Sequence, residues 1–344
     1  MKEKNKRLEY IDLAKGLGIL LVVLGHMNLI ISDDDEAGRA VVHIIYSFHM
    51  PLFFVLTGFV QGHLARQRAA EGKIHRISPK RLFLRLMVPY FIWSAVYMIA
   101  QYLTDRSDAE KLWDMAKAAV FMCGSAPLWF LNALFFSELI FGALRYSLGI
   151  NERKIMAGAA VLSVMASRLY NENMPELEQV PRYLTIAACR LLPSVFFVAF
   201  GCYLYGLLGK RSRRGDLRRG AGLAALLTVM VTVYSPGVNM HIFRFGDILY
   251  FFMTGAIGSA AVILICRGLP EGLKGLSLLG KSSMDIMVLH YTPMPFIPLS
   301  AALIERLMGK PYFVFVYVVT LVMVCPLAIG LSFLKTAWVK RGSE

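Results

Sequence analysis

Charge is scarce in this chain. Only 17% of its 344 residues are Asp, Glu, Lys or Arg, against 57% hydrophobic, which excludes an ordinary soluble domain, where about a quarter of the residues carry charge. Cysteine is sparse as well. Cys123, Cys189, Cys202, Cys266 and Cys325 are scattered, mostly within apolar segments. Without a CxxC pair or a Cys/His cluster, neither a metal centre nor a disulfide framework is suggested, and no metal ligand is expected. The chain also lacks an internal repeat, a low-complexity tract and a glycine-rich loop that would cradle phosphate. No A-x-A-like cleavage site follows the first apolar run, and Asp12 and Lys15 interrupt its start. That run is expected to be retained as a helix and not removed as a signal.

Long hydrophobic runs are what the sequence has in quantity. About twenty apolar residues span a bilayer as helix, and ten runs recur, near 13–31, 40–62, 82–104, 125–145, 154–170, 183–209, 219–236, 246–267, 276–303 and 311–335. The fifth, "KIMAGAAVLSVMASRLY", is the weakest, being short and rich in small residues. The expected fold class is all-α: a polytopic integral membrane bundle of about ten helices. The chain is expected to form a single membrane-embedded domain over residues 1–344, with cytoplasmic tails at 1–10 and 336–344. No extra soluble domain is expected after the last span.

A formal charge of +14 suggests nucleic acid until the basic residues are sorted by side. With the N-terminal tail in the cytoplasm and the runs alternating, the inner side takes most of the 37 lysines and arginines. They lie in "MKEKNKR", "HLARQRAAEGKIHRISPKRLFLR", Arg145 with "NERK", "GKRSRRGDLRR", Arg267 with Lys274 and Lys281, and the C-terminal Lys335, Lys340 and Arg341. The outer connections hold "SDDDE", "TDRSDAE" and "NENMPELE" instead. This is the positive-inside asymmetry, so the partner it indicates is membrane lipid and not nucleic acid. The expected location is the cell (inner) membrane, multi-pass, with both termini cytoplasmic.

Ionisable groups within such runs are costly and tend to face a bundle interior or a wet cavity. "KGLGILLVVLGH" begins at Lys15 and ends at His26. At about 100° per residue this spacing makes three turns plus roughly 20°, so both side chains share one face, about 16 Å apart along the axis. Asp12 lies on the same face, and Gly16, Gly18 and Gly25 permit close approach. Lys15 alone reads as a snorkelling anchor, and His26 alone as a packed histidine. Together on one stripe they suggest a cation at the inner edge and, deeper, an imidazole able to take a proton from a hydroxyl. In the second run, "YSFHMPLFFVLTGF" brings His49 to a comparable depth, just before Pro51. "SPKRLFLRLMVPY" places Arg81 and Arg85 four apart on one face beside Lys80, where guanidinium forks suit phosphate. "APLWFLNALFFSELI" contributes Trp129, Asn132 and Glu138, and "LGKSSMDIMVLHY" contributes Asp285 and His290.

At these residues the chain resembles the acyltransferase 3 family of integral-membrane acyltransferases, most closely the sugar and polysaccharide O-acetylases. "YIDLAKGLGILLVVLGH" is similar to the family's first-helix signature of a basic residue, ten residues, then His. "FHMPLFFVLTGF" is similar to its second-helix motif, and "RLMVPY", "PLWFLNALFF" and "LGKSSMDIMVLH" to later landmarks. The resemblance implies a ten-helix core, acetyl-CoA as donor from the cytoplasm, and a sugar or glycan hydroxyl as acceptor. It puts His26 at the essential histidine and Lys15 at its basic partner. Arg85 falls at the last basic residue of an Arg-x-x-Arg motif, although Leu82 stands three before it and the preceding arginine is Arg81. The hydrolase-like extracytoplasmic domain of some members is not expected here.

The resulting expectation is an O-acetyltransferase. Lys15, Arg81 and Arg85 hold the coenzyme A phosphates, His26 is general base on the sugar hydroxyl or itself accepts the acetyl group, Asp12 orients Lys15, and His49, Trp129, Asn132 and His290 line the acceptor side. A proton-coupled transporter of amino-acid-like solutes is the alternative that the same intramembrane groups would serve.

Overall fold

The computed structural model describes residues 8–30, 36–104, 109–173, 178–209, 212–291 and 293–341. Most of the expected N-terminal tail and of "SDDDE", half of "NENMPELE", part of "TDRSDAE", Lys210 and Arg211 lie outside the described residues, as do the side chains beyond Lys335. The fold is all-α, with fourteen α-helices among the described residues: α1 (Glu9–Ile30), α2 (Glu36–Ala70), α3 (Pro79–Thr104), α4 (Ala109–Val120), α5 (Trp129–Gly142), α6 (Glu152–Asn173), α7 (Gln179–Cys189), α8 (Leu191–Leu207), α9 (Arg213–Val233), α10 (Ile248–Gly268), α11 (Lys274–Lys281), α12 (Ser283–Leu289), α13 (Phe296–Met308) and α14 (Phe313–Arg341). A two-residue hairpin, β1 (Val238–Asn239) with β2 (Arg244–Phe245), separates α9 from α10.

Six segments of the described residues are long and apolar enough to cross a membrane: Glu9–Met27, Ala40–Ala70, Pro79–Thr104, Gln179–Leu207, Ile248–Gly268 and Phe313–Lys335. Their large apolar side chains point outward in number. Phe91, Ile92 and Ile99 of α3 are exposed, as are Phe315, Val318 and Val322 of α14, as lipid-facing helices require. The fifth and seventh runs are helices, α6 and α9, but with more polar sequences. The fourth is shorter than expected: a 3₁₀ turn at Ala126–Leu128 precedes α5 and a π turn at Ala143–Ser147 follows it. The ninth is not one helix. It divides into α11, α12 and α13, with residues 290, 291 and 293–295 non-helical. Pro293 and Pro295 lie in that gap, lacking the N–H and the freedom in φ that a continuing helix needs.

The described residues fall into two compact units. Unit 1 comprises Met1–Ile45, Lys210–Val229 and Ala260–Glu344; unit 2 comprises Tyr46–Gly209 and Met230–Ser259. Within unit 1, α1 packs against α11 backbone to backbone. A Cβ added at Gly280 would lie 1.8 Å from the Asp12 carbonyl oxygen, and one at Gly16 would lie 2.2 Å from that of Leu276. Met27 joins Ile297, Ile304 and Val316 in a core beneath Tyr291 and Tyr317, and the Tyr317 hydroxyl donates to the Leu20 carbonyl at 3.1 Å. Unit 2 uses the same device between α2 and α8, where Gly58 abuts the Val198 carbonyl and Gly201 that of Val55. Small residues at helix crossings are how helices in lipid gain dispersion contacts without a hydrophobic drive.

Candidate functional site

α1 is continuous from Glu9 to Ile30, so the one-face placement of Asp12, Lys15 and His26 holds within unit 1. Asp12 is 3% exposed, while Lys15 and His26 are half-buried. His26 does not stand alone. Its Nδ1 lies 2.7 Å from Nε2 of His290, with the ring centroids 5.0 Å apart and the ring planes within 7° of parallel. Tyr291 closes on the same imidazole at 4.5 Å. His290 is fully buried. It caps the C-terminal end of α12, and its Nδ1 meets the Ile286 carbonyl at 3.0 Å. The break in the ninth run delivers this residue, because the chain leaves the helix at His290 and turns through the proline segment. Asp285, one turn earlier, is buried and ion-paired with Lys335 of α14.

At the other end of the α1 stripe lies a cavity of about 540 Å³ between α1 and α11. Glu9 and Asp12 line it from α1; Lys274, Ser277, Leu278 and Lys281 line it from α11. Glu9 is engaged there, accepting the Gly272 N–H at 2.9 Å. Elsewhere in unit 1, buried Asp216 pairs with Arg219 at 2.8 Å and Arg267 at 3.6 Å and accepts the Ser212 N–H at 3.2 Å.

Unit 2 has two polar clusters. In the first, Ser78 Oγ accepts the Arg81 N–H at 3.4 Å and Pro79 opens α3, a start suited to a helix N-terminus. One turn on, Arg85 Nη2 donates to Glu138 Oε2 at 2.7 Å. The Glu138 carboxylate is 2% exposed and the Arg85 side chain 57% exposed. Gln61 donates to Glu138 Oε1 at 2.5 Å and receives His75 Nε2 at 2.7 Å. His75 lies outside the spans, and burial, then the nearby Arg68, lowers its pKa. Arg81 is exposed. The expected pair of free phosphate-facing arginines is therefore unequal, since one fork of Arg85 already serves a buried carboxylate.

In the second cluster Trp129 and Asn132 come together around a residue that the sequence reading passed over. Arg190 is fully buried and donates to the carbonyls of Met122 at 2.7 Å, Cys123 at 2.6 Å and His241 at 3.2 Å. Asn132 Oδ1 also accepts from it at 3.4 Å, and Asn132 Nδ2 donates to the Met122 carbonyl at 2.8 Å. The guanidinium lies over the Trp129 ring at 5.3 Å, and His241 of the hairpin turn stacks on that ring at 5.8 Å. This arrangement braces the linker between α4 and α5, where Met122 (φ 57°) and Gly124 (φ 73°) adopt left-handed conformations. His241, outside the spans, has its pKa pushed down to about 4 by burial and then by Arg190. The overlooked signal was one arginine inside an otherwise apolar run. His49, also in unit 2, is buried with its ring edge-on to Tyr46 at 4.9 Å. Among the described residues no group of three His, Cys, Asp or Glu side chains could hold a metal.

Six helical segments long and apolar enough to cross a membrane, with an imidazole pair held among the helices, define the class as a membrane protein, and comparison places it. The sequence model of the acyltransferase 3 family, described as an acyltransferase domain, matches residues 8–335; the chain belongs to this family. It is also similar to the nodulation protein NolL of Mesorhizobium japonicum, at 28% identity over 152 residues, 41% of this chain and 36% of that protein. NolL of Sinorhizobium fredii is 30% identical over 146 residues, 40% of this chain and 36% of the relative. The chain thus matches little more than a third of the length of these curated relatives. No solved structure gives a significant match.

Proposed function

We propose that the protein is a membrane O-acetyltransferase that moves an acetyl group from acetyl-CoA to a hydroxyl of a cell-envelope sugar or glycan. The observation that carries this reading is the His26–His290 pair at one end of the α1 stripe, with Lys15 about three turns away on the same helix. In the reaction, the acceptor oxygen attacks the thioester carbonyl, a C–O bond forms and the C–S bond breaks. The hydroxyl proton passes to the imidazole of His26 and then to the departing sulfur, leaving coenzyme A as free thiol. An imidazole suits this step because one ring nitrogen can accept a proton while the other donates a hydrogen bond.

In unit 1 the donor's phosphates are assigned to Lys15 with Lys274 and Lys281, whose cavity offers ammonium groups and the Ser277 hydroxyl. Asp12 and Glu9 on its opposite wall suit the uncharged donors of a nucleotide better than its phosphates. Arg81 and the remaining donors of Arg85 present phosphate-binding chemistry on unit 2. His49 stays an acceptor-side candidate by sequence. The location we propose is the inner membrane, with both termini cytoplasmic.

The test uses purified protein in detergent and membrane vesicles that retain their own glycans, supplied with acetyl-CoA. Thiol release and acetyl incorporation are read together. The intact protein should do both, and His26→Ala should lower both by at least about 100-fold at unchanged membrane abundance. Retained transfer in His26→Ala would remove the histidine from the reaction. Solute uptake with no thioester cleavage would replace the enzyme with a transporter.

A further inference from the structure

We propose that His290 is a positioning residue that fixes the tautomer of His26 and shares the proton it takes up. This inference rests on the transferase reading above and extends it to a residue 264 positions away in sequence.

The argument follows from which atoms can donate. The Ile286 carbonyl oxygen only accepts, so His290 Nδ1, at 3.0 Å from it, carries a hydrogen. In a neutral imidazole the other nitrogen is then bare. His290 Nε2 is thus an acceptor, and His26 Nδ1, at 2.7 Å, must be the donor. With its hydrogen on Nδ1, neutral His26 has its basic lone pair on Nε2, the nitrogen turned away from His290. The relay reads: Ile286 carbonyl, His290, His26, acceptor hydroxyl. When Nε2 takes the hydroxyl proton, the new cation already donates through Nδ1 to a second imidazole, and that hydrogen can shift to His290 Nε2. No further co-reactant is needed, and the proton returns through His26 to the leaving sulfur.

Burial supports a fixed role. His290 is fully buried, its rotamer tied to its own helix by Ile286, and it lies parallel to His26 at 5.0 Å. Among the described residues, several titratable groups on the elements packed against α1 are engaged elsewhere or line the far cavity. Asp285 of α12 is paired with Lys335 of α14, and the Tyr317 hydroxyl of α14 donates to Leu20. Tyr291 offers a ring face. Lys274 and Lys281 of α11 line the cavity at the far end of α1. His290, within hydrogen-bond distance of His26 Nδ1, is placed to orient the imidazole, as a carboxylate orients the histidine in hydrolytic triads.

The experiment compares intact protein with His26→Ala, His290→Ala and His290→Gln, reading thiol release from acetyl-CoA in glycan-bearing membrane vesicles. The glutamine amide oxygen can stand where Nε2 stood and accept from His26 Nδ1. His290→Ala should lower kcat by about 100-fold with KM for acetyl-CoA within about threefold, and His290→Gln should recover at least about tenfold of that loss. A kcat in His290→Ala equal to that of the intact protein, with His26→Ala inactive, overturns this inference and leaves the transferase reading standing. Equal loss in both His290 variants, with raised KM, also overturns it, showing a packing role. If His26→Ala is as active as the intact protein, the transferase reading fails first.

Discussion

The two units treat polar groups in an apolar setting in opposite ways. Unit 1 sets an imidazole pair on α1 and at the C-terminal cap of α12 and balances its buried Asp285 with Lys335. Unit 2 buries a whole guanidinium, Arg190, and among the described residues sets backbone carbonyls, an amide oxygen and an indole ring around it instead of a carboxylate. A charge held by fixed carbonyls has nowhere to send a proton and serves to brace the chain. An imidazole against an imidazole can pass a proton at little cost in charge. Substitutions in the imidazole pair should therefore cost chemistry, and substitutions in the Arg190 brace should cost folding.

The largest effect should come from the brace. Arg190→Leu leaves the carbonyls of Met122, Cys123 and His241 buried without this donor, a loss on the order of 4 kcal/mol, visible as a lower Tm in detergent. A variant that melts like the intact protein yet no longer transfers acetyl groups would break the comparison. Next comes Lys15 in unit 1. Lys15→Ala should weaken kcat/KM for acetyl-CoA about tenfold, or about 1.4 kcal/mol, with Tm unchanged, and Lys15→Arg should restore most of it. Equal loss in both would sharpen the role from a charge to the amine itself.

The smallest effect is a pH dependence. His241 has a folded pKa near 4 against an ordinary 6.5, so the unfolded chain binds the proton first as pH falls. Its stabilising contribution is full above about pH 6.5 and is lost as pH drops toward 4. Tm should fall across that window. His241→Phe, which keeps a ring on Trp129, should flatten the slope, and an unchanged slope would clear His241 of the effect.

Much of this was legible in the sequence. The helical class, the sharing of one α1 face by Lys15 and His26, and the cost of Glu138 and Asp285 within apolar runs all follow from spacing and solvation. Long-range partners were not legible. No local pattern joins His26 to His290 or Arg85 to Glu138, because those contacts are made by packing between helices distant in the chain. The break in the ninth run had a signal in Pro293 and Pro295, but its continuous hydrophobicity outweighed it. Arg190 was hidden by counting it as one more basic residue when its position inside a span was the informative fact.

The glycine crossing of α1 with α11 has a mechanical consequence. With no side chain between the Gly280 backbone and the Asp12 carbonyl, neither helix can slide past the other without steric collision. The two behave as one welded strut, so the distance from the cavity mouth to the imidazole pair is held as on a ruler. Any breathing of unit 1 during turnover must come from elements that do not share this weld.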